Sequence, residues 1–137
     1  MAKQKALRLL RIVAFIAYCV FIVWVAILSR KPNGIHHADL RFMWSYRELF
    51  TGDPHGKADV IQNLQNIVFF VPYGVLVPVD DWKSVLIIAC IFSVLIELIQ
   101  YIGGFGLAEL DDVICNTLGA IMGFLLWIRL KRLVVKT

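Results

Sequence analysis

The sequence predicts an all-α, polytopic membrane protein: a four-transmembrane-helix bundle with an amphipathic interfacial helix between helices 1 and 2. Three observations predict it. The 137-residue chain is 60% hydrophobic and only 18% charged, where an average soluble domain is about 25% charged. Its mean hydropathy is +0.76, and a soluble domain this small cannot bury so much apolar surface. The apolar residues are also gathered into runs of about 20, the helical length that a ~30 Å hydrocarbon core requires. Lipid is therefore the solvent for most of a single domain, 1–137. Disorder, a disulfide scaffold and a nucleic-acid-binding domain are excluded.

The first span is expected at 9–28, with no charge from Ile12 to Leu28. Arg30-Lys31-Pro32-Asn33-Gly34 ends it with charge and helix breakers. No small-residue cleavage signature follows that run, so an uncleaved first helix is expected rather than a signal peptide. The loop that follows carries the interfacial helix at 39–50. A helical wheel places Phe42, Met43, Tyr46, Leu49 and Phe50 on one side, Arg41, Ser45 and Glu48 opposite, and Trp44 at headgroup depth. A lid packed on the bundle is the alternative, and the two are compatible. Thr51-Gly52-Asp53-Pro54-His55-Gly56 breaks that helix. The second span, 62–79, starts polar (Gln62, Asn63, Gln65, Asn66) and contains Pro72 and Pro78; Pro72 kinks it or marks a break beside a pocket. The third is expected at 84–102 and the fourth at 112–130.

Lysine and arginine counting sets the orientation. Nine of them lie on the side that four spans give to both termini, including Lys3, Lys5, Arg8 and Arg11 at the start and Arg129, Lys131, Arg132 and Lys136 at the end; five lie in the first loop. The rule that basic residues stay inside puts the N- and C-termini in the cytoplasm. The terminal clusters read as anchors at the membrane surface, not as nucleic-acid contacts. Cys19, Cys90 and Cys115 all fall in apolar runs and read as small hydrophobes.

Polar residues inside the spans carry the functional signal. Glu97 sits within the third span with Gln100 on the same face at i+3. An acid at the centre of a span costs roughly 2.5–3.5 kcal/mol, so it needs a partner, a wet cavity or a proton. Asp112 and Asn116 share a face at i, i+4, and Asn63 and Asn66 do so at the start of the second span. All three pairs fall toward the outer leaflet. Together they predict a polar pocket of carboxylates and amides. Each also has a plainer reading: amides bonding across helices, and Asp112 as the N-cap of its own helix. Gly119-Ala120-Ile121-Met122-Gly123 is a small-xxx-small face for close helix packing, within the chain or in a homo-oligomer through Gly119 and Gly123. His36, His37 and His55 with Asp39, Asp53 and Asp59 lack metal-ligand spacing, so no metal and no cofactor are expected.

Three blocks resemble the VanZ-like family. They are Asn66-Ile67-Val68-Phe69-Phe70-Val71-Pro72-Tyr73-Gly74, Ile96-Glu97-Leu98-Ile99-Gln100, and Leu110-Asp111-Asp112-Val113-Ile114-Cys115-Asn116-Thr117-Leu118-Gly119. The first matches the family's Asn…Phe-x-Pro-x-Gly stretch, the second its Glu-x-x-Gln, and the third its Asp-x-x-x-Asn-Thr-x-Gly. The resemblance runs from about residue 40 to 127. Many relatives carry an arginine shortly before the Asp-Asp segment, and here Phe105-Gly106-Leu107-Ala108 holds none. The partner of Glu97 or Asp112 is then expected to be Arg41, Arg47 or Lys57, unless the carboxyl keeps its proton. The resemblance implies a bacterial plasma-membrane protein, in some members one that lowers susceptibility to teicoplanin.

On this reading the pocket consists of Asn63, Asn66, Pro72, Gln100, Asp111 and Asn116 with Arg41 and Arg47, around Glu97 and Asp112. Its partners are the lipid bilayer and a lipid-linked cell-wall precursor or a lipoglycopeptide, with no nucleic acid. One alternative is a small intramembrane enzyme acting on a lipid-linked substrate, with Glu97 and Asp112 as acid and base. The other is a proton-coupled transporter subunit with Glu97 titrating.

Overall fold

The structure is a computed structural model that describes residues 2–52 and 56–135, with side chains over 5–52 and 56–133. Lys3, Asp53, Pro54, His55 and Lys136 of the sequence reading lie outside the described side chains. Among the described residues the fold is all-α apart from one two-residue ladder and an isolated bridge between Ile35 and Phe105. Helix α1 (Ala2–Val23) runs into a π-helical turn, Trp24–Leu28, and α2 is Trp44–Thr51. Helix α3 spans Gly56–Leu76, α4 Trp82–Gly103 and α5 Leu110–Val135. Strands β1 (Ala38–Asp39) and β2 (Ala108–Glu109) pair in parallel, Ala38 with Ala108 and Asp39 with Glu109.

Among the described residues three segments are long and apolar enough to cross a membrane: Lys5–Leu28, Trp82–Gly103 and Leu110–Leu133. Helix α3 is as long as a span but falls short in hydropathy, because Lys57, Asp59, Gln62, Asn63, Gln65 and Asn66 crowd its first half. It starts six residues before the expected boundary and stays helical through Pro72, which is exposed. A proline on that side removes one backbone bond without meeting a neighbouring helix.

Helices α3 and α5 touch backbone to backbone. A Cβ on Gly119 would lie 2.2 Å from the Ile67 carbonyl oxygen, one on Gly123 2.0 Å from that of Val71, and one on Gly74 1.8 Å from that of Ala120. Contacts at 67 with 119 and 71 with 123 advance together, so the two helices run in the same direction. Gly119 and Gly123, a possible contact between copies, are thus buried against α3 of the same chain. Around this seam Ile22, Phe70, Tyr73, Val77, Val85, Ala89, Ile96, Ala120 and Phe124 form the core.

The ends of the helices are fixed by local chemistry. Asp81 caps α4 by accepting from the Ser84 N–H at 2.8 Å, and Gly104 ends it in the left-handed region at φ 60°. At the opposite end of the bundle from that cap, the first loop clasps the α4–α5 connection. The Asn33 and Gly34 N–H groups donate to the Gly104 carbonyl, and Ala108 N–H donates to that of His37. At the capped end Arg11 donates to the Val77 carbonyl and lies 4.2 Å over the Trp127 ring.

Helix α2 begins five residues later than the sequence reading placed it. Asp39 is in β1, where its carboxylate accepts from the Arg41 N–H at 3.0 Å and turns the chain. Met43 then takes a left-handed conformation, φ 52°, just before the helix. Phe42 and Met43 of the expected apolar face therefore precede α2 rather than belong to it.

Candidate functional site

The adjacent aspartates at the start of α5 point to different partners. Asp111 is fully buried. It accepts from the Met43 N–H at 2.6 Å, from the Ser45 hydroxyl at 3.0 Å and from the Ser45 N–H at 3.5 Å. It thus serves as the N-terminal acceptor of α2, supplied from a distant helix, where the positive end of the helix dipole favours a carboxylate. Asn63 extends the chain of bonds by donating to the Ser45 Oγ at 3.1 Å. Asn63 and Asp111 hold α2 down on the bundle.

Asp112 turns toward α3, beside the Asn66 and Gln62 side chains. The Asn66 and Gln62 amides stand where they can donate to its carboxylate, and its Oδ1 and the Asn66 Nδ2 are both buried. Glu97 completes the cluster from α4. It is 8% exposed, and its Oε2 accepts from the Glu109 N–H at 3.1 Å. Three carboxyls thus converge where α4, α5 and the ladder meet. Glu109 stands outside the spans; burial, then repulsion from Asp112 and more distant acids, pushes its carboxyl up to about 8.

Arg30, an exposed side chain, is a cation whose charge reaches this cluster. Its charge acts on both Glu97 and Asp112, and its guanidinium lies 3.5 Å from where a Cβ on Gly106 would stand. The sequence pointed instead to Arg41, Arg47 or Lys57. Arg41 is committed to Asp39, with Nε 3.0 Å from each carboxylate oxygen, and this pairing holds the Asp39 carboxyl below its usual range. Arg41 and Arg47 line a separate cavity with Phe42, Trp44, Glu48 and Thr51.

The remaining expected residues pin helices together. Gln100 donates to the Ala26 carbonyl at 3.0 Å, tying α4 to the π-helical turn. Asn116 donates to the Ser93 Oγ at 2.8 Å, joining α5 to α4. Pro72 sits on the exposed side of α3, apart from the carboxyls. Glu109, Gln62 and Arg30 are the cluster members that sequence reasoning missed. Gln62 was visible as one of four polar residues opening α3, whereas Arg30 read only as a helix stop. Among the described residues no three His, Cys, Asp or Glu side chains are placed to hold a metal ion.

The VanZ/LLP1 family model matches residues 15–132, a stretch that includes all three carboxyls, Arg30 and the glycine seam. The chain belongs to the VanZ/LLP1 family. Protein VanZ of Enterococcus faecium is 24% identical over 115 residues, covering 80% of this chain and 68% of that relative. No solved structure matches the chain significantly. Three apolar helices and this family make it a membrane protein.

Proposed function

We propose that this VanZ/LLP1 member is a four-span protein of the bacterial plasma membrane with both termini in the cytoplasm. Its Glu97–Glu109–Asp112 cluster is a binding site for the polar part of an envelope amphiphile: a membrane lipid, a lipid-linked wall precursor or a lipoglycopeptide such as teicoplanin. The observation that carries this reading is the cluster itself. Carboxyls from two spans and the ladder meet beside the buried Asn66 amide, at the end of the bundle that basic-residue counting assigns to the outside. Ionisable groups at span depth are costly to keep and are by default candidates for function.

The same cluster favours a second reading as an intramembrane enzyme. Neighbouring carboxyls cannot all ionise at low cost, so one retains a proton and serves as acid while another serves as base. Glu97 and Asp112 would take those roles on a lipid-linked substrate.

Expression of wild type, Glu97→Gln and Asp112→Asn at matched membrane levels in a susceptible Gram-positive host tests the proposal. Wild type is expected to raise teicoplanin tolerance more than vancomycin tolerance, and either substitution to abolish the gain. Equal tolerance from all three chains would remove the carboxyls from function. For the enzymatic reading, purified wild type must turn over a lipid-linked substrate that Glu97→Gln leaves intact.

A further inference from the structure

A second group of polar side chains lies at the opposite end of the bundle from the carboxyls. The Arg11 guanidinium sits 4.2 Å over the Trp127 ring and gives one N–H to the Val77 carbonyl. Its Nε and the Trp127 Nε1 are both buried, and the described residues supply neither with an acceptor. Two donors on adjoining side chains of α1 and α5 thus share one deficit. A buried donor left unbonded costs free energy, so an acceptor from outside the chain is favoured beside them.

The depth of the pair indicates where that acceptor comes from. Arg11 lies six residues inside the Lys5–Leu28 segment, and Trp127 six residues inside the end of Leu110–Leu133, about 9 Å of helix in each case. A long side chain at that depth reaches the headgroup boundary, where arginine and tryptophan settle and where phospholipids carry their phosphates.

Charge decides the kind of acceptor. Arg8, one turn before Arg11 on α1, and Lys131, one turn after Trp127 on α5, lie nearer the end of the bundle on the same helix faces. The acid beside them is Asp80, which accepts from Lys131 at 3.5 Å and whose charge also acts on Arg11. Its neighbour Asp81 is turned to the start of α4. Three cations therefore stand against Asp80. A neutral acceptor leaves that surplus in place, whereas a phosphate diester offsets it and accepts charge-assisted bonds from both donors.

We propose that the Arg11–Trp127 pair binds the phosphate of an anionic phospholipid, with Arg8 and Lys131 as flanking cations. This is a second site, separate from the carboxyl cluster.

The test titrates the purified chain in neutral detergent with phosphatidylglycerol, phosphatidylcholine and diacylglycerol of the same chain length, and counts bound lipid by native mass spectrometry. One phosphatidylglycerol is expected to bind at least about tenfold more tightly than phosphatidylcholine. Diacylglycerol should bind more weakly still, and excess inorganic phosphate should not displace the lipid. Arg11→Gln keeps a donor for Val77, and Trp127→Phe keeps an aromatic ring without the N–H; each should weaken phosphatidylglycerol binding about tenfold. Arg129→Gln, which removes the same charge from an exposed position two residues away, should leave it unchanged. Circular dichroism establishes that each variant is folded, and the three lipids on wild type decide the matter if one is not. Equal affinity for the three lipids would assign the contact to acyl chains, and displacement by inorganic phosphate would assign it to a soluble anion. Equal losses from Arg11→Gln and Arg129→Gln would mean diffuse attraction to a basic surface. Each of these results would overturn the proposal.

Discussion

Asp111 and Glu109 lie two positions apart at the start of α5 and in the ladder, and each yields a prediction at the residue scale. Asp111 is bonded on both oxygens to the start of α2. Asp111→Ala leaves the Met43 N–H and Ser45 hydroxyl without their acceptor, which costs about 1–3 kcal/mol. Faster hydrogen exchange over Trp44–Thr51 is expected, with α4 unchanged; uniform loss of protection would mean that the bond supports the whole bundle. Glu109 gives the second prediction. Its folded value of about 8 lies above the ordinary 4.5, so the folded state holds a proton that the unfolded chain releases earlier. Its contribution to stability is complete below about pH 4.5 and is lost as the pH rises toward about 8. Thermal unfolding in neutral detergent should show a midpoint that falls across this interval, and Glu109→Gln should flatten the fall. Parallel slopes for the two proteins would place the titration elsewhere.

At the scale of elements, the seam between α3 and α5 is the least forgiving contact in the fold. A Cβ on Gly123 would stand 2.0 Å from the Val71 carbonyl oxygen, which is backbone and cannot rotate away. Gly123→Ala must therefore push the two helices apart, and overpacking of this kind costs about 1–3 kcal/mol. A lower unfolding midpoint is expected for Gly123→Ala, and an unchanged midpoint would mean that the two helices separate at no cost. What the sequence disclosed about the fold follows from the same distinction between local and distant causes. Helices α4 and α5 were legible because long apolar runs end at residues with capping chemistry, Asp81 and Gly104 among them. The start of α2 was not, because it depends on a carboxylate 68 positions away along the chain. The ladder was invisible for a similar reason: two residues on each side pair only because two loops meet. In the site, Glu97, Asp112 and Asn66 stood out as polar residues in apolar surroundings. Arg30 and Glu109 sit in loop sequence, and only the tertiary path of the chain brings them to Glu97 and Asp112.

At the scale of the whole molecule, the number of crossings decides which side of the membrane the cluster faces. Hydropathy alone counts three spans, which would put the termini on opposite sides. The proposal of four rests on packing. Helix α3 runs alongside α5, in the same direction and in backbone contact from Ile67 to Gly74, so a bilayer crossed by α5 encloses the middle of α3 as well. In the polar first half of α3, Asn63 is 1% exposed under α2 and Asn66 faces Asp112, while Lys57, Gln62 and Gln65 stay exposed. Backbone and amide groups covered in this way are tolerated at membrane depth. Single cysteines at Arg47 and Lys83, in a chain with Cys19, Cys90 and Cys115 replaced by alanine, distinguish the two arrangements. With four spans and basic residues inside, a membrane-impermeant maleimide should label Arg47→Cys on intact cells, and Lys83→Cys only after permeabilisation. Three spans with α3 outside the bilayer would put residues 47 and 83 on one side, and both would label together. The reverse pattern would turn the carboxyls toward the cytoplasm, where an extracellular glycopeptide has no access to them, and the binding function would have to be sought among inner-leaflet amphiphiles.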